Sequence, residues 1–143
     1  MPAEMCHITM AFIGEAGEGD VAAIAEAVEA SASAVTGLSL GAPVWLPRRR
    51  PRALALDVHD GRGELGACHD RLASALEQAI GWKPERRFRP HVTAVRLSRG
   101  VDPGSHGLPV SPALEFDGRS LTLYRSELTP QGARYETLAG ATL

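Results

Sequence analysis

Residues 7–10 are His-Ile-Thr-Met and residues 91–94 are His-Val-Thr-Ala, so the pattern His-x-Thr-x occurs twice in this sequence. Both copies lie in apolar segments with alternating side chains, and this period of two predicts β-strands. Because residues i and i+2 of a strand point to the same face, the intervening Ile8 and Val92 are predicted to point the other way, into a core. Each strand therefore offers an imidazole and a hydroxyl side by side on one surface: His7 with Thr9, and His91 with Thr93.

The remainder of the chain predicts two helices and about six strands. Helices are expected over residues 21–35, with Asp20 as the N-cap, and over residues 64–80, which Gly81 ends. Strands are expected over residues 5–13, 37–46, 52–60, 90–97, 114–128 and 133–143, the second of them at a sheet edge. Residues 47–51 and 98–112 are predicted loops because proline, glycine or serine interrupts them. The lack of strict βαβ alternation favours the α+β class, in a single domain over residues 1–143.

Charge is distributed unevenly along the chain. The net charge is −2, yet residues 1–47 contain six acids and no Lys or Arg, whereas residues 48–99 contain 12 bases and six acids. The resulting local charge of +6 can meet a polyanion or can be ordinary solvated charge. Two groups of arginines stay open to both interpretations: Arg48, Arg49 and Arg50 in the loop, and Arg87 and Arg89 before the second motif.

Composition places the chain among globular cytoplasmic proteins. Apolar residues make up 44 % of it, which suffices for a core. No apolar run approaches the ~18 residues that cross a membrane, and no secretory signal is visible. Two cysteines without a signal indicate reduced thiols in the cytoplasm. A zinc site at Cys6, His7, Cys68 and His69 is disfavoured because the first two, adjacent in a strand, point to opposite faces.

Two His-x-Thr strands related by an approximate two-fold would face one cleft with two imidazoles and two hydroxyls. This set suits phosphodiester hydrolysis without a metal. A neutral His takes a proton from water, a protonated His delivers one to the departing ribose oxygen, and the hydroxyls bind the non-bridging oxygens. A 2′,3′-cyclic phosphate fits best, since it is strained and only one sugar oxygen needs protonation. A single His-x-Thr is common and mostly structural, so the doubling carries the prediction.

In these motifs the chain resembles the two-histidine phosphoesterase superfamily, and most closely the bacterial RNA 2′,3′-cyclic phosphodiesterases, also called 2′-5′ RNA ligases. The resemblance rests on residues 7–14, 88–96, 121–128 and 132–136 and covers essentially the whole chain. It implies a bilobal fold of two antiparallel sheets related by a pseudo two-fold, with helices outside and the active cleft between.

The resemblance also implies residue roles. His7 and His91 would be the catalytic pair, Thr9 and Thr93 would hold the phosphate, and no metal or other cofactor would be needed. The substrates would be RNA ends or cyclic nucleotides, the product a 2′-phosphate, and the reaction could run in reverse as 2′-5′ ligation. A further phosphate-contacting arginine, five residues after the second His, corresponds to Arg96. Strand alternation disagrees, because position 96 is out of phase with position 91 unless the strand bends near Val95.

The chain departs from the family in two respects, of which one is that the predicted loop over residues 98–112 replaces a helix after the second motif. The second motif is preceded by a strand and a helix, whereas only six residues precede His7. We expect the missing element to expose an edge and an apolar face around Ile8, Met10 and Phe12, covered either by a homodimer or by chain upstream of residue 1. The competing possibility is a minimal monomer in which residues 21–35 fold back to cover the gap. A looser first lobe also leaves open a second function, a non-catalytic module that binds a nucleotide or RNA.

Overall fold

From residue 14 onward, helices and strands follow one another in the order expected from the sequence, except that two strands replace the single one expected over residues 114–128. The computed structural model describes residues 6–97, 107–130 and 132–143. The helices are α1 (Val21–Ser31) and α2 (Glu64–Ile80), and a short 3-10 turn (Glu18–Asp20) precedes α1. The strands are β1 (Leu38–Leu46), β2 (Ala53–Asp60), β3 (His91–Arg96), β4 (Glu115–Phe116), β5 (Ser120–Thr129) and β6 (Gly132–Thr142). They form two antiparallel sheets, which confirms the predicted α+β class.

The chain divides into two compact units, each built from three separate segments. Residues 1–10, 37–61 and 88–116 form the first unit, which contains a four-stranded sheet with the order β3-β2-β1-β4. Residues 11–36, 62–87 and 117–143 form the second, which contains both helices and the β5–β6 hairpin. Because the segments interleave, no single cut in the chain separates the units. The single bilobal domain with a pseudo two-fold stays a prediction.

The second unit has its core between the two helices and the hairpin. Helix α1 packs on α2 and on both hairpin strands. The α2 stripe is buried at Leu65, Leu72 and Leu76, as the helical spacing predicts. Helix α2 ends at Gly81, whose φ of 70° is the left-handed conformation that glycine adopts without strain.

The sequence-based predictions were wrong for the first strand, for the end of α1 and for the side-chain cap at Asp20, although α1 begins at Val21 as predicted. Residues 5–13 do not form a strand over their described part, residues 6–13, which makes only an isolated bridge between Ile8 and Val92. Helix α1 ends at Ser31 and not at residue 35, because Ala32 turns to an extended conformation and Val35 enters the core. Asp20 makes no side-chain cap hydrogen bond, since it is already helical, with φ of −87° and ψ of −16°.

The edge position expected for residues 37–46 holds only in part. Strand β1 lies between β2 and β4, but β4 pairs only with Leu38 and Ser39. A register shift between Leu40 and Pro43 interrupts the pairing with β2, near the glycine–alanine–proline break in the sequence. The predicted loop at residues 47–51 is present, and of residues 98–112 only 107–112 are described, without regular structure.

Candidate active site

The two His-x-Thr segments are neighbours in the first unit. Ile8 pairs with Val92 in an antiparallel bridge, which places the first motif along the outer edge of β3. In antiparallel register the residues flanking a pair are themselves opposite each other. His7 therefore lies opposite Thr93, and Thr9 lies opposite His91. By the alternation of extended segments, all four side chains are expected on the face away from Ile8 and Val92.

Sheet geometry sets the spacing of this group. Directly opposite residues have Cβ atoms about 5 Å apart, and diagonal neighbours are about 7–8 Å apart. His7 and His91 are such a diagonal pair, so their imidazoles can approach one phosphorus atom from two sides. His7 and Thr9 are exposed, and His91 and Thr93 are half-buried. The face is thus open to a ligand.

A β-bulge in β3 brings Arg96 to the same face. Against β2, Thr93 pairs with Ala55 and Val95 pairs with Leu54, so Ala94 is an extra residue in β3. The bulge inverts the alternation, and Arg96 pairs with Ala53, which shares a face with Ala55. The structure therefore resolves the phase conflict seen in the sequence, and places the exposed Arg96 on the face that carries His91 and Thr93.

The imidazole of His91 is anchored by the backbone. Its Nδ1 lies 2.8 Å from the carbonyl oxygen of Arg89. A carbonyl only accepts hydrogen bonds, so Nδ1 carries the hydrogen and Nε2 is the nitrogen left to exchange a proton with a substrate. The amide of Val58 donates to the carbonyl of Pro90 at 3.0 Å, which holds this approach to β3 against β2.

Asp57 completes the surroundings of His91 and was not predicted from the sequence. It is the direct cross-strand partner of His91. Its carboxylate receives two hydrogen bonds from Arg89, at 3.0 Å from Nε and 2.8 Å from Nη2. These hydrogen bonds to Asp57 raise the pKa of Arg89 above its ordinary value, so the guanidinium stays charged. Strand alternation in the sequence puts Asp57 on the same face of β2 as Ala53 and Ala55. Its position beside His91 depends on the register of β2 against β3, which the sequence does not show.

Arg89, two further histidines and the two tyrosines occupy other positions or have other partners. The guanidinium of Arg89, one of the arginines that could meet a phosphate, instead donates to the carboxylate of Asp57. His69 is buried in α2 and His59 is exposed at the end of β2, whereas His106 lies outside the described residues. Tyr124 and Tyr135 contact each other edge to face on the hairpin, with ring centroids 5.8 Å apart.

Metal-ligating side chains do not gather in the described part of the chain. There, no group of three or more His, Cys, Asp or Glu residues could hold a metal ion. Within the same residues, no helix is long and apolar enough to cross a membrane.

A fold of two antiparallel sheets that carries paired His-x-Thr segments is the arrangement of a two-histidine phosphoesterase. The profile of the 2′-5′ RNA ligase superfamily matches residues 1–129. An Aeropyrum pernix protein named RNA 2′,3′-cyclic phosphodiesterase is 33 % identical over 94 % of this chain and 80 % of its own length. A Geobacillus stearothermophilus protein of the same name is 31 % identical over 96 % of this chain and 45 % of its own length.

Solved structures share the fold. The crystal structure of TT0787 of Thermus thermophilus superposes with a TM-score of 0.82, at 24 % identity, over 100 % of this chain and 80 % of that one. The chain belongs to the 2′-5′ RNA ligase superfamily.

Proposed function

We propose that this protein hydrolyses 2′,3′-cyclic phosphates at RNA or nucleotide ends to 2′-phosphates, with His7 and His91 as its acid–base pair and without a metal. The observation that carries the proposal is the Ile8–Val92 bridge, because it pairs the two motifs. Strand alternation about this bridge supports two imidazoles and two hydroxyls on one face. Two relatives named RNA 2′,3′-cyclic phosphodiesterase support the same reaction.

The reaction needs one proton acceptor and one proton donor. One imidazole, neutral at its reactive nitrogen, takes a proton from water as the water oxygen bonds to phosphorus. The bond from phosphorus to the ribose 3′ oxygen breaks, and the other imidazole, protonated, gives its proton to that oxygen. The product carries a 2′-phosphate and a 3′-hydroxyl, and the two histidines have exchanged protonation states. Attack by an RNA 5′-hydroxyl in place of water gives a 2′-5′ linkage by the same steps.

Charge on the phosphate is balanced by donors on the same face. Thr9 and Thr93 donate hydrogen bonds to the non-bridging oxygens, where negative charge grows as water adds. Arg96 brings a permanent positive charge to this face through the bulge at Ala94. Because each proton and each charge has a side chain assigned to it, the proposed mechanism does not require a metal.

The test is steady-state hydrolysis of 2′,3′-cyclic CMP by single variants. We expect His7→Ala and His91→Ala each to lower kcat by about 10²–10⁴, and Thr9→Ala or Thr93→Ala to cost less. The wild-type pH–rate profile should be bell-shaped, since one imidazole must be neutral and the other charged. EDTA should leave the rate unchanged. His59→Ala is the matched control, because it removes an exposed imidazole from β2 outside both motifs.

Two results would contradict the proposal. Full activity of either motif-histidine variant would mean that the site is elsewhere. Loss of activity in EDTA that zinc or magnesium restores would exclude the metal-free mechanism. If the wild-type protein binds 2′,3′-cyclic CMP and does not turn it over, the chain is instead a non-catalytic module that binds a nucleotide or RNA.

Location in the cytoplasm is also a proposal. It is supported by the cysteine content of the chain, since two cysteines, Cys6 and Cys68, are a number typical of proteins that keep their thiols reduced. Mass analysis of alkylated protein purified from cells without added reductant tests it, since both thiols should be modified.

A further inference from the structure

The loop that joins β1 to β2 carries a concentration of positive charge. We call residues 47–52 the arginine loop, since four of the six are arginine: Arg48, Arg49, Arg50 and Arg52. All four side chains are exposed, and no ion pair links any of them to an acid among the described residues. No Asp or Glu occurs between residues 30 and 56 or between residues 86 and 101. The sequence therefore provides no neighbouring acid to neutralise this charge.

The arginine loop adjoins the end of β3, the strand that carries His91. Leu46 and Arg96 both pair with Ala53, one from each side of β2. The amide of Arg52 donates to the carbonyl of Leu46 at 2.8 Å, and the amide of Leu97 donates to the carbonyl of Arg52 at 2.8 Å. The base of the loop is thus held by backbone hydrogen bonds beside Arg96, the last residue of the catalytic face in β3.

The distance from the histidines decides what the loop can bind. Strands rise about 3.3 Å per residue, so the four steps of β2 from Asp57 to Ala53, the partners of His91 and Arg96, span about 13 Å. From that end the long side chain of Arg96 can extend back along the face toward the histidines. Residues 48–50 lie farther out, beyond the pair of Leu46 and Ala53, and out of hydrogen-bond reach of a phosphate held at His91. A mononucleotide cyclic phosphate has only that one phosphate. An RNA chain that ends in a cyclic phosphate has further phosphates on its 5′ side, and these can follow the face from His91 past Arg96.

We infer that the arginine loop is a second phosphate subsite, which binds the backbone of the nucleotides that precede the cyclic phosphate. The inference rests on the proposed function and adds a length preference to it: oligonucleotide ends bind more tightly than cyclic mononucleotides. Arginine suits this role because its planar guanidinium forms paired hydrogen bonds with phosphate. Binding through phosphates is independent of base sequence and weakens as salt rises.

The experiment compares two substrates, 2′,3′-cyclic CMP and an RNA hexamer that ends in a 2′,3′-cyclic phosphate. We expect a lower KM for the hexamer. The triple variant R48A/R49A/R50A should raise the hexamer KM by about 10-fold or more and leave kcat/KM for 2′,3′-cyclic CMP unchanged. The dependence of log KM on log salt concentration should become shallower by about 0.7 for each phosphate that the variant no longer neutralises. The triple variant R48K/R49K/R50K, which keeps the charge, should recover part of the hexamer KM.

A charge-matched control separates a local subsite from an effect of net charge. The variant R119A/R125A/R134A removes three exposed arginines from the second unit and changes the net charge equally. An equal rise in the hexamer KM for this control would overturn the subsite. An unchanged hexamer KM for R48A/R49A/R50A would also overturn the subsite. If that variant still hydrolyses 2′,3′-cyclic CMP, the proposed function stands.

Binding is measured in parallel because it needs no turnover. Fluorescence anisotropy of a labelled RNA hexamer with a 3′-terminal phosphate should give a Kd that the alanine triple weakens about 10-fold. If neither substrate is hydrolysed, the proposed function fails and this Kd still decides the subsite. An unchanged Kd then overturns it.

Discussion

The hydrogen bonds around His91 make the substitution Arg89→Met a sharp test of the site. The backbone carbonyl of Arg89 accepts a hydrogen bond from Nδ1 of His91, and the guanidinium of Arg89 donates to both carboxylate oxygens of Asp57. Methionine keeps the carbonyl and an unbranched apolar side chain but cannot form the ion pair. We expect the carbonyl to lose its fixed position, and His91 to lose its orientation toward the phosphate.

The magnitudes separate an effect on orientation from an effect on stability. The side chains of Arg89 and Asp57 are 41 % and 27 % exposed, so solvent screens the pair. Such a pair contributes about 0.5–1 kcal/mol to the free energy of unfolding. A domain stable by about 5–15 kcal/mol remains almost wholly folded after that loss. A displacement of a catalytic group by about 1 Å, in contrast, lowers the rate by up to about 10²-fold.

We therefore expect kcat for 2′,3′-cyclic CMP to fall by about 10- to 100-fold with little change in the urea midpoint. Asp57→Asn should behave alike, and the double variant should lose no more than either single one, because both act through one pair. Lys83→Met is the control, since it breaks the exposed Lys83–Glu77 pair of 2.8 Å in the other unit. An Arg89→Met enzyme that keeps half of its kcat, or loses activity only in proportion to its folded fraction, would refute the reasoning.

Three further predictions concern the core, a thiol and assembly. Leu76→Ala should lower the free energy of unfolding by about 2–5 kcal/mol in urea titration, because Leu76 is 1 % exposed, whereas Leu128→Ala at 93 % exposure should change it little. Burial raises the pKa of Cys68, so the stability that its neutral thiol provides is complete below about pH 9 and is lost as pH rises through the raised value. Cys68→Ala should therefore reduce the decline of the urea midpoint at high pH. Ellman's reagent at pH 8 should modify the exposed Cys6 well before the buried Cys68. Light scattering should give the mass of a homodimer that Phe12→Ser, at a side chain 78 % exposed, converts to monomer; a monomeric wild-type protein would contradict the predicted dimer.

Local signals were sufficient for much of the fold. The apolar stripe and the glycine gave α2 its observed bounds, 64–80, because helix periodicity and the left-handed end are properties of adjacent residues. The shared phase of His91 and Thr93 was likewise predictable, since alternation needs no knowledge of the partner strand. Helix α1 was overextended because Val35 fits a helical stripe as well as the extended segment that it occupies.

Features that depend on pairing were beyond the sequence. Nothing in residues 91–96 marks Ala94 as the extra residue of a bulge, so strand alternation alone put Arg96 on the wrong face. The pairing of Asp57 with His91 depends on the register of β2 against β3, which hydrophobic alternation restricts to steps of two residues without selecting one. The single bridge between Ile8 and Val92 also depends on the pairing of two distant segments, so the sequence did not predict it.

The doubled motif and the antiparallel bridge explain each other. An antiparallel pair has a local two-fold axis perpendicular to its sheet, so equal sequences centred on one bridge present equal side chains to one face. Two His-x-Thr copies centred on Ile8 and Val92 therefore give a nearly symmetric set. The reaction nevertheless needs one proton donor and one proton acceptor. Their difference must arise outside the repeat, and Asp57 with its bound Arg89 flanks only the inner strand. This pair is therefore one feature, outside the motifs themselves, that can distinguish the roles of His7 and His91.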